Sequence, residues 1–164
     1  MKKILTINML FISILCSAQS GLAVDSVFNE YGRRQGSALL DLNKDVLGGH
    51  TRIERYKCLI IKANDIAAND IRKALATDRE SRSKHTNAVT IKEITENGTL
   101  QNASYCLGNE AESSVTEYLL YSVSKGRITL VYLTGRFQPR ELNGELSKLK
   151  DLFIKVNNKE IKLY

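Results

Sequence analysis

Between Ile53 and Ala74 the apolar positions step by three and four: Ile53, Tyr56, Ile60, Ala63, Ala67, Ile71 and Ala74. At 3.6 residues per turn these share one face, and Thr51 with Glu54 three places on forms a capping box. The spacing therefore predicts a helix over 51–77, with Cys58 near Ile61 on a second, partly apolar face. Upstream, Val27, Phe28, Tyr31, Ala38, Leu39 and Leu42 also recur at helical intervals, with Asp25 or Ser26 placed to cap. This predicts a first helix from Asp25 to about Leu47, weakened by Gly32 and Gly36 and closed by Gly48 and Gly49.

The period then changes. Residues 78–85, DRESRSKH, are polar throughout and read as a loop, after which Val89 and Ile91 alternate with Thr90 and Lys92 as a strand does. Asn97-Gly98 is a strong hairpin signal, and the returning strand, Leu100 to Leu107, puts Ala103, Tyr105 and Leu107 opposite Cys106. A second hairpin pairs Val115–Ser124 with Arg127–Thr134 around Lys125-Gly126. Its strands are apolar on both faces, so they are central or keep one face for a partner.

Pro139 and Glu141 suit a first helical turn, and Leu142, Leu146, Leu149 and Phe153 form an apolar stripe ending between Leu152 and Val156. The closing residues 155–164, KVNNKEIKLY, suit a short edge strand or a small hairpin. The predicted fold is one α+β domain over 25–164: two N-terminal helices, a four-stranded antiparallel sheet of two hairpins, a C-terminal amphipathic helix and a short terminal strand.

The N-terminus changes the setting. Lys2 and Lys3, an apolar run from Ile4 to Leu15 and small residues around Ala18 have the layout of a bacterial secretory signal peptide, residues 1–18, with Ala23 as a later cleavage point. The apolar run is too short to span a bilayer, and no later stretch approaches the about 20 residues needed. Leu15 is too large to precede a lipidated cysteine, so Cys16 is expected to leave with the leader. That leaves Cys58 and Cys106, which in an oxidising compartment predict one disulfide, worth about 3 to 5 kcal/mol for so long a loop. The expected location is the periplasm, or outside the cell.

The formal charge of +6 is unevenly spread. Ten Lys/Arg face five acids over 52–92, five acids stand without a base over 93–117, and nine bases face four acids from 118 onward. Such asymmetry suits an acidic partner. The basic residues are not interleaved with aromatics as in a nucleic-acid reader, so nucleic acid is not expected. His50 and His85 lie at polar boundaries without a nucleophile signature. Asp65 and Asp70 are five residues apart on different helix faces, and the two cysteines have no histidine at ligand spacing, so neither metal nor cofactor is expected. Asn97 and Asn102 begin N-x-S/T matches that chance explains in a bacterial chain.

Two features suggest contact with a partner. Tyr121 and Tyr132, on the hairpin that is apolar on both sides, could present an aromatic patch. Arg79, Arg82 and Lys84, in the polar stretch, could meet an acidic protein or an anionic envelope polymer. The expectation is an exported, non-enzymatic protein-binding domain, an accessory factor of a cell-envelope machine such as a pilus or secretion system. An inhibitor or immunity protein against a toxin or hydrolase is the alternative, and a small hydrolase a distant third.

Overall fold

Residues 53–62 read IERYKCLIIK, rich in β-branched and aromatic side chains that suit an extended backbone. They form an interior strand of the sheet, not half of a long helix. In the computed structural model, which describes residues 21–84, 86–109 and 114–156, the order is α1 (Ala23–Tyr31), β1 (Ala38–Asn43), α2 (Lys44–Leu47), a 3-10 turn (Gly48–His50), β2 (Ile53–Lys62) and α3 (Asp65–Ser83). Then come β3 (Val89–Glu96), β4 (Thr99–Asn109), β5 (Thr116–Ser124), β6 (Arg127–Gly135), a 3-10 turn (Pro139–Glu141) and α4 (Leu142–Val156). Among the described residues the sheet has six strands, every neighbouring pair antiparallel, in the order β1-β2-β6-β5-β4-β3.

The α+β class and the antiparallel sheet agree with the sequence, and the count of elements does not. The expected helix over 51–77 divides at Ala63-Asn64. Its first half is β2, and its second half becomes α3 behind Asn64, whose side chain accepts the Ala67 N–H at 2.9 Å. Ile53, Tyr56 and Ile60 matched a helical period only because β2 is buried on both faces and lacks alternation. Thr51 caps nothing: its hydroxyl donates to Glu145 at 3.0 Å.

The expected helix over 25–47 also breaks. α1 stops at Tyr31 because the chain turns back at Gly32, where a Cβ would lie 2.5 Å from the Phe28 carbonyl oxygen and 2.7 Å from the Leu39 side chain. Residues 38–43 are edge strand β1. The polar stretch 78–85 was no loop either, since α3 runs to Ser83. Both hairpins stand as read, and Asn97-Gly98 and Lys125-Gly126 all have positive φ, the condition for the tight turns that match strand twist. α4 begins behind a Gln138–Glu141 capping box, and its Leu142 and Leu149 are buried. The expected terminal strand or hairpin and the signal peptide lie outside the described residues.

Three layers result. α1 and α3 cover one face of the sheet, packing Val24, Phe28, Ile71 and Leu75 on Leu59, Ile61, Leu119, Tyr121, Ile128 and Leu130. α2, Phe137 and α4 cover the other, where Leu47, Leu142 and Leu149 meet Cys58, Tyr118, Val131 and Leu133. Tyr118 stacks on Phe137 with ring centroids 4.9 Å apart and donates to its carbonyl oxygen at 2.6 Å.

The second face is fastened by Glu145, which is 1 % exposed. Its carboxylate accepts from Thr51 Oγ1 (3.0 Å), Arg52 N (2.9 Å), Arg52 Nε (3.0 Å) and Lys148 Nζ (2.8 Å). Burial alone would raise its pKa, but these donors together bring it down to about 2. Because the folded value is depressed, the stabilisation is present above the unfolded pKa near 4.5 and is lost as pH falls from about 5 to about 2. It amounts to about 2 to 3 kcal/mol, the lower end allowing for solvent around Arg52 and Lys148. Urea titrations should show the unfolding midpoint falling across that window. Glu145→Gln should lower the midpoint at pH 7 and flatten this acid-side dependence; an unchanged slope would remove the carboxylate from that role.

Candidate interaction edge

Each residue singled out from the sequence has a definite place. Tyr121 is 1 % exposed beneath the α1–α3 layer, so it offers no patch to a partner. Tyr132 is half-buried on the same face and donates to Glu117 Oε1 at 2.8 Å. The second hairpin is apolar on both sides because helices cover both sides.

Arg79, Arg82 and Lys84 belong to the end of α3. Arg79 reaches Glu93 on β3 at 3.2 Å and lies 5.2 Å over the Tyr105 ring. Arg82 pairs with the half-buried Glu117 at 2.7 Å, and exposed Lys84 pairs with Glu80 at 3.3 Å. Two of the three thus fasten α3 to the sheet. Asp70 accepts the Tyr31 hydroxyl at 2.6 Å, and burial with that hydrogen bond pushes the Tyr31 pKa up to about 12. His50 ends the 3-10 turn before β2, exposed; His85 lies outside the described residues. Among the described residues, no group of three His, Cys, Asp or Glu could hold a metal.

The expected disulfide is not formed. Cys58 and Cys106 are both free and buried, on β2 and β4 with β6 and β5 between them. Three interstrand spacings of about 4.8 Å already separate them by about 14 Å, at least twice the Cα separation a disulfide spans, and the register adds a two-residue offset, since Cys58 lies in line with Ser104. The even count made the pairing attractive, but only the strand order tells that the two thiols share a face without being neighbours. Burial raises the pKa of both, which keeps them as weakly nucleophilic thiols.

The strand expected at Val89 and Ile91 is β3, and its exposure was not expected: Val89, Ile91 and Ile94 are 48 %, 38 % and 39 % exposed, and every residue of β3 is open to solvent. Two facts of placement explain this. β3 closes the edge of the sheet and pairs on one side only, with β4. A bulge at Ile91, between the Thr90–Tyr105 and Lys92–Ser104 pairs, also shifts the alternation. The signal that could have marked an edge was the charge in VTIKEITE: Lys92, Glu93 and Glu96 within eight residues.

A cleft lies on either side of this edge. One, of about 340 Å³, runs between α3 and the β3–β4 hairpin, with Arg72, Leu75 and Arg79 on the helix side and Glu93, Thr95 and Leu100 on the strand side. The other, of about 630 Å³, opens where β3 begins, between Thr86, Asn87 and Val89 on one wall and Cys106, Gly108, Phe137 and Pro139 on the other. Arg72 makes no ion pair among the described residues. A strand laid along β3 would meet unpaired main-chain groups and send alternate side chains toward the two faces of the sheet. This arrangement suits recognition of an extended segment.

The family match covers most of this frame. A family described as "Family of unknown function (DUF6108)" matches residues 11–146. The chain belongs to this family. No curated protein matches it. Among solved structures, one of a protein of unknown function, PA94, from Pseudomonas aeruginosa is similar at 13 % identity, covering 78 % of this chain and 86 % of that one, with a TM-score of 0.35. An overlap that small carries no argument about fold or role.

The strand order has a direct chemical consequence. In the folded protein at pH 7, alkylation of Cys58 and Cys106 should be slow and should become fast in denaturant, and non-reducing mass spectrometry should find each in an unlinked peptide. A peptide joining the two would overturn the order β2-β6-β5-β4.

Proposed function

We propose that this DUF6108 chain is an exported, non-enzymatic protein-binding domain of the bacterial periplasm, serving a cell-envelope assembly such as a pilus or secretion system. It binds by taking an extended segment of another exported protein along β3. The observation that carries this reading is the edge itself: an eight-residue strand exposed throughout, with apolar Val89, Ile91 and Ile94 and a cleft on either side. A monomeric domain has reason to blunt such an edge, and β3 and β4 pair irregularly at two places, at Ile91 and between Ile94 and Thr95, with Lys92 to Ile94 in register between them.

The chemistry around the edge describes the partner. Arg79 is already paired with Glu93, while Arg72 and Lys92 make no ion pair among the described residues. The segment that fits alternates aliphatic residues with small polar ones and has a carboxylate to meet Arg72. Both buried thiols are held protonated, and the sequence offers no nucleophile–base pair, which favours binding over catalysis.

The test is site-specific photo-crosslinking in cells producing the full-length protein. A photoreactive residue at Ile94 should give one discrete adduct with an exported protein, and the same residue at Val46, on α2, should not. Adding Ile91→Lys should abolish the adduct while leaving thermal stability almost unchanged, because both positions are exposed. Adducts from Val46 with none from Ile94, or recovery of the protein in the cytoplasm, would sink the proposal.

A further inference from the structure

The start of the fold is gripped from a distance. The first helical turn of α1 has no cap of its own: Leu22 precedes it and offers no side-chain acceptor. Asp78, on α3, supplies the acceptors instead. Ala23 N donates to its Oδ1 at 2.6 Å and Val24 N to its Oδ2 at 3.0 Å, across 55 and 54 residues of chain. Asp78 is 3 % exposed and Val24 is fully buried. A buried carboxylate with two main-chain donors at a helix N-terminus is a capping arrangement whose acceptor comes from another element.

The residues just before Val24 are part of the same construction. The Leu22 carbonyl accepts Asp25 N at 3.0 Å, the Ala23 carbonyl accepts Ser26 Oγ at 2.7 Å, and both side chains pack against the core. Of the two small-x-small cleavage points, the one after Ala23 would remove both carbonyls and the Ala23 N–H, which has the shorter of the two bonds to Asp78. The one after Ala18 leaves all of them in place.

We infer that the exported chain is cut after Ala18 and begins at Gln19, and that Asp78 is the anchor that fastens Ala23 and Val24, at the start of α1, to α3. The inference rests on the reading of the chain as exported. It assigns Gln19 to Leu22 to the mature protein and gives a buried acid on α3 a role that its own helix does not explain.

Intact-mass measurement of the protein recovered from the periplasm separates the possibilities. A mass beginning at Gln19 supports the inference. A mass beginning at Val24 overturns it and leaves export standing, with the new ammonium group on Asp78. An uncut chain in the cytoplasm overturns both. A second measurement bears on the anchor: in the full-length gene, Asp78→Asn turns one acceptor into a donor facing an N–H. Trypsin should then cut after the exposed Arg33 or Arg34 roughly five to ten times faster than in the parent. Asp65→Asn, at the exposed start of the same helix, is the control. Equal cleavage rates for the parent and Asp78→Asn would overturn the anchor.

Discussion

The constraint that organises this protein is that its three central strands are apolar on both faces. β2, β6 and β5 present Leu59, Leu130 and Leu119 to one side and Cys58, Val131 and Tyr118 to the other. No single layer can cover both, so the chain must place helices on each face. α3 does so in passing: it leaves the end of β2, crosses one face and delivers the chain to the far edge, where β3 begins. α4 covers the other face after the last strand. The sheet order therefore follows from where the two helical layers must lie, and it also decides which strand is left at the margin.

The same constraint explains what the sequence showed and what it hid. Hairpins are local: Asn97-Gly98 and Lys125-Gly126 can adopt their turn conformation whatever the rest of the chain does, and both were legible. The stripe of α4 was legible for the same reason, because one exposed face gives a helix its period. β2 was not, since a strand buried on both sides shows no alternation, and its apolar residues ran into those of α3 at a spacing that resembled a helix. β1 was hidden behind Gly32 and Gly36, which weakened a helix reading without suggesting a strand. Tyr121 looked available only while the layer above it was unknown, Arg82 turns out to reach the half-buried Glu117, and the edge at β3 looked ordinary while the strand order was unknown.

Two buried carboxylates fasten the helices that cover this frame, one to the sheet and one to a neighbouring helix, and they do so in different electrostatic states. Glu145 has cationic donors from Arg52 and Lys148, so its charge is stabilised in the fold. Asp78 has backbone N–H donors from Ala23 and Val24, and burial outweighs them, pushing its pKa up. One clamp ties α4 to the entrance of β2, and the other ties α1 to the far half of α3. Lys57 adds to the second, buried over the Phe28 ring at 4.6 Å with Asp25 at 3.6 Å. Both clamps lie away from β3, so neither depends on the edge strand.

A binding edge is useful only if the strand behind it is rigid, since a strand that must first be ordered spends part of its binding energy on that step. Here the support is specific. Glu93 receives both Arg79 from α3 and the Tyr105 hydroxyl from β4, at 3.2 Å and 2.9 Å, so the middle of β3 is tied to its neighbouring strand and to the helix above it. The arginine that the sequence offered as a partner contact acts one step earlier: it holds the strand that the partner would meet. Arg79 is a positioning residue for β3 in this arrangement, and Ile94, one place along from its tether, is where that rigidity is presented to solvent.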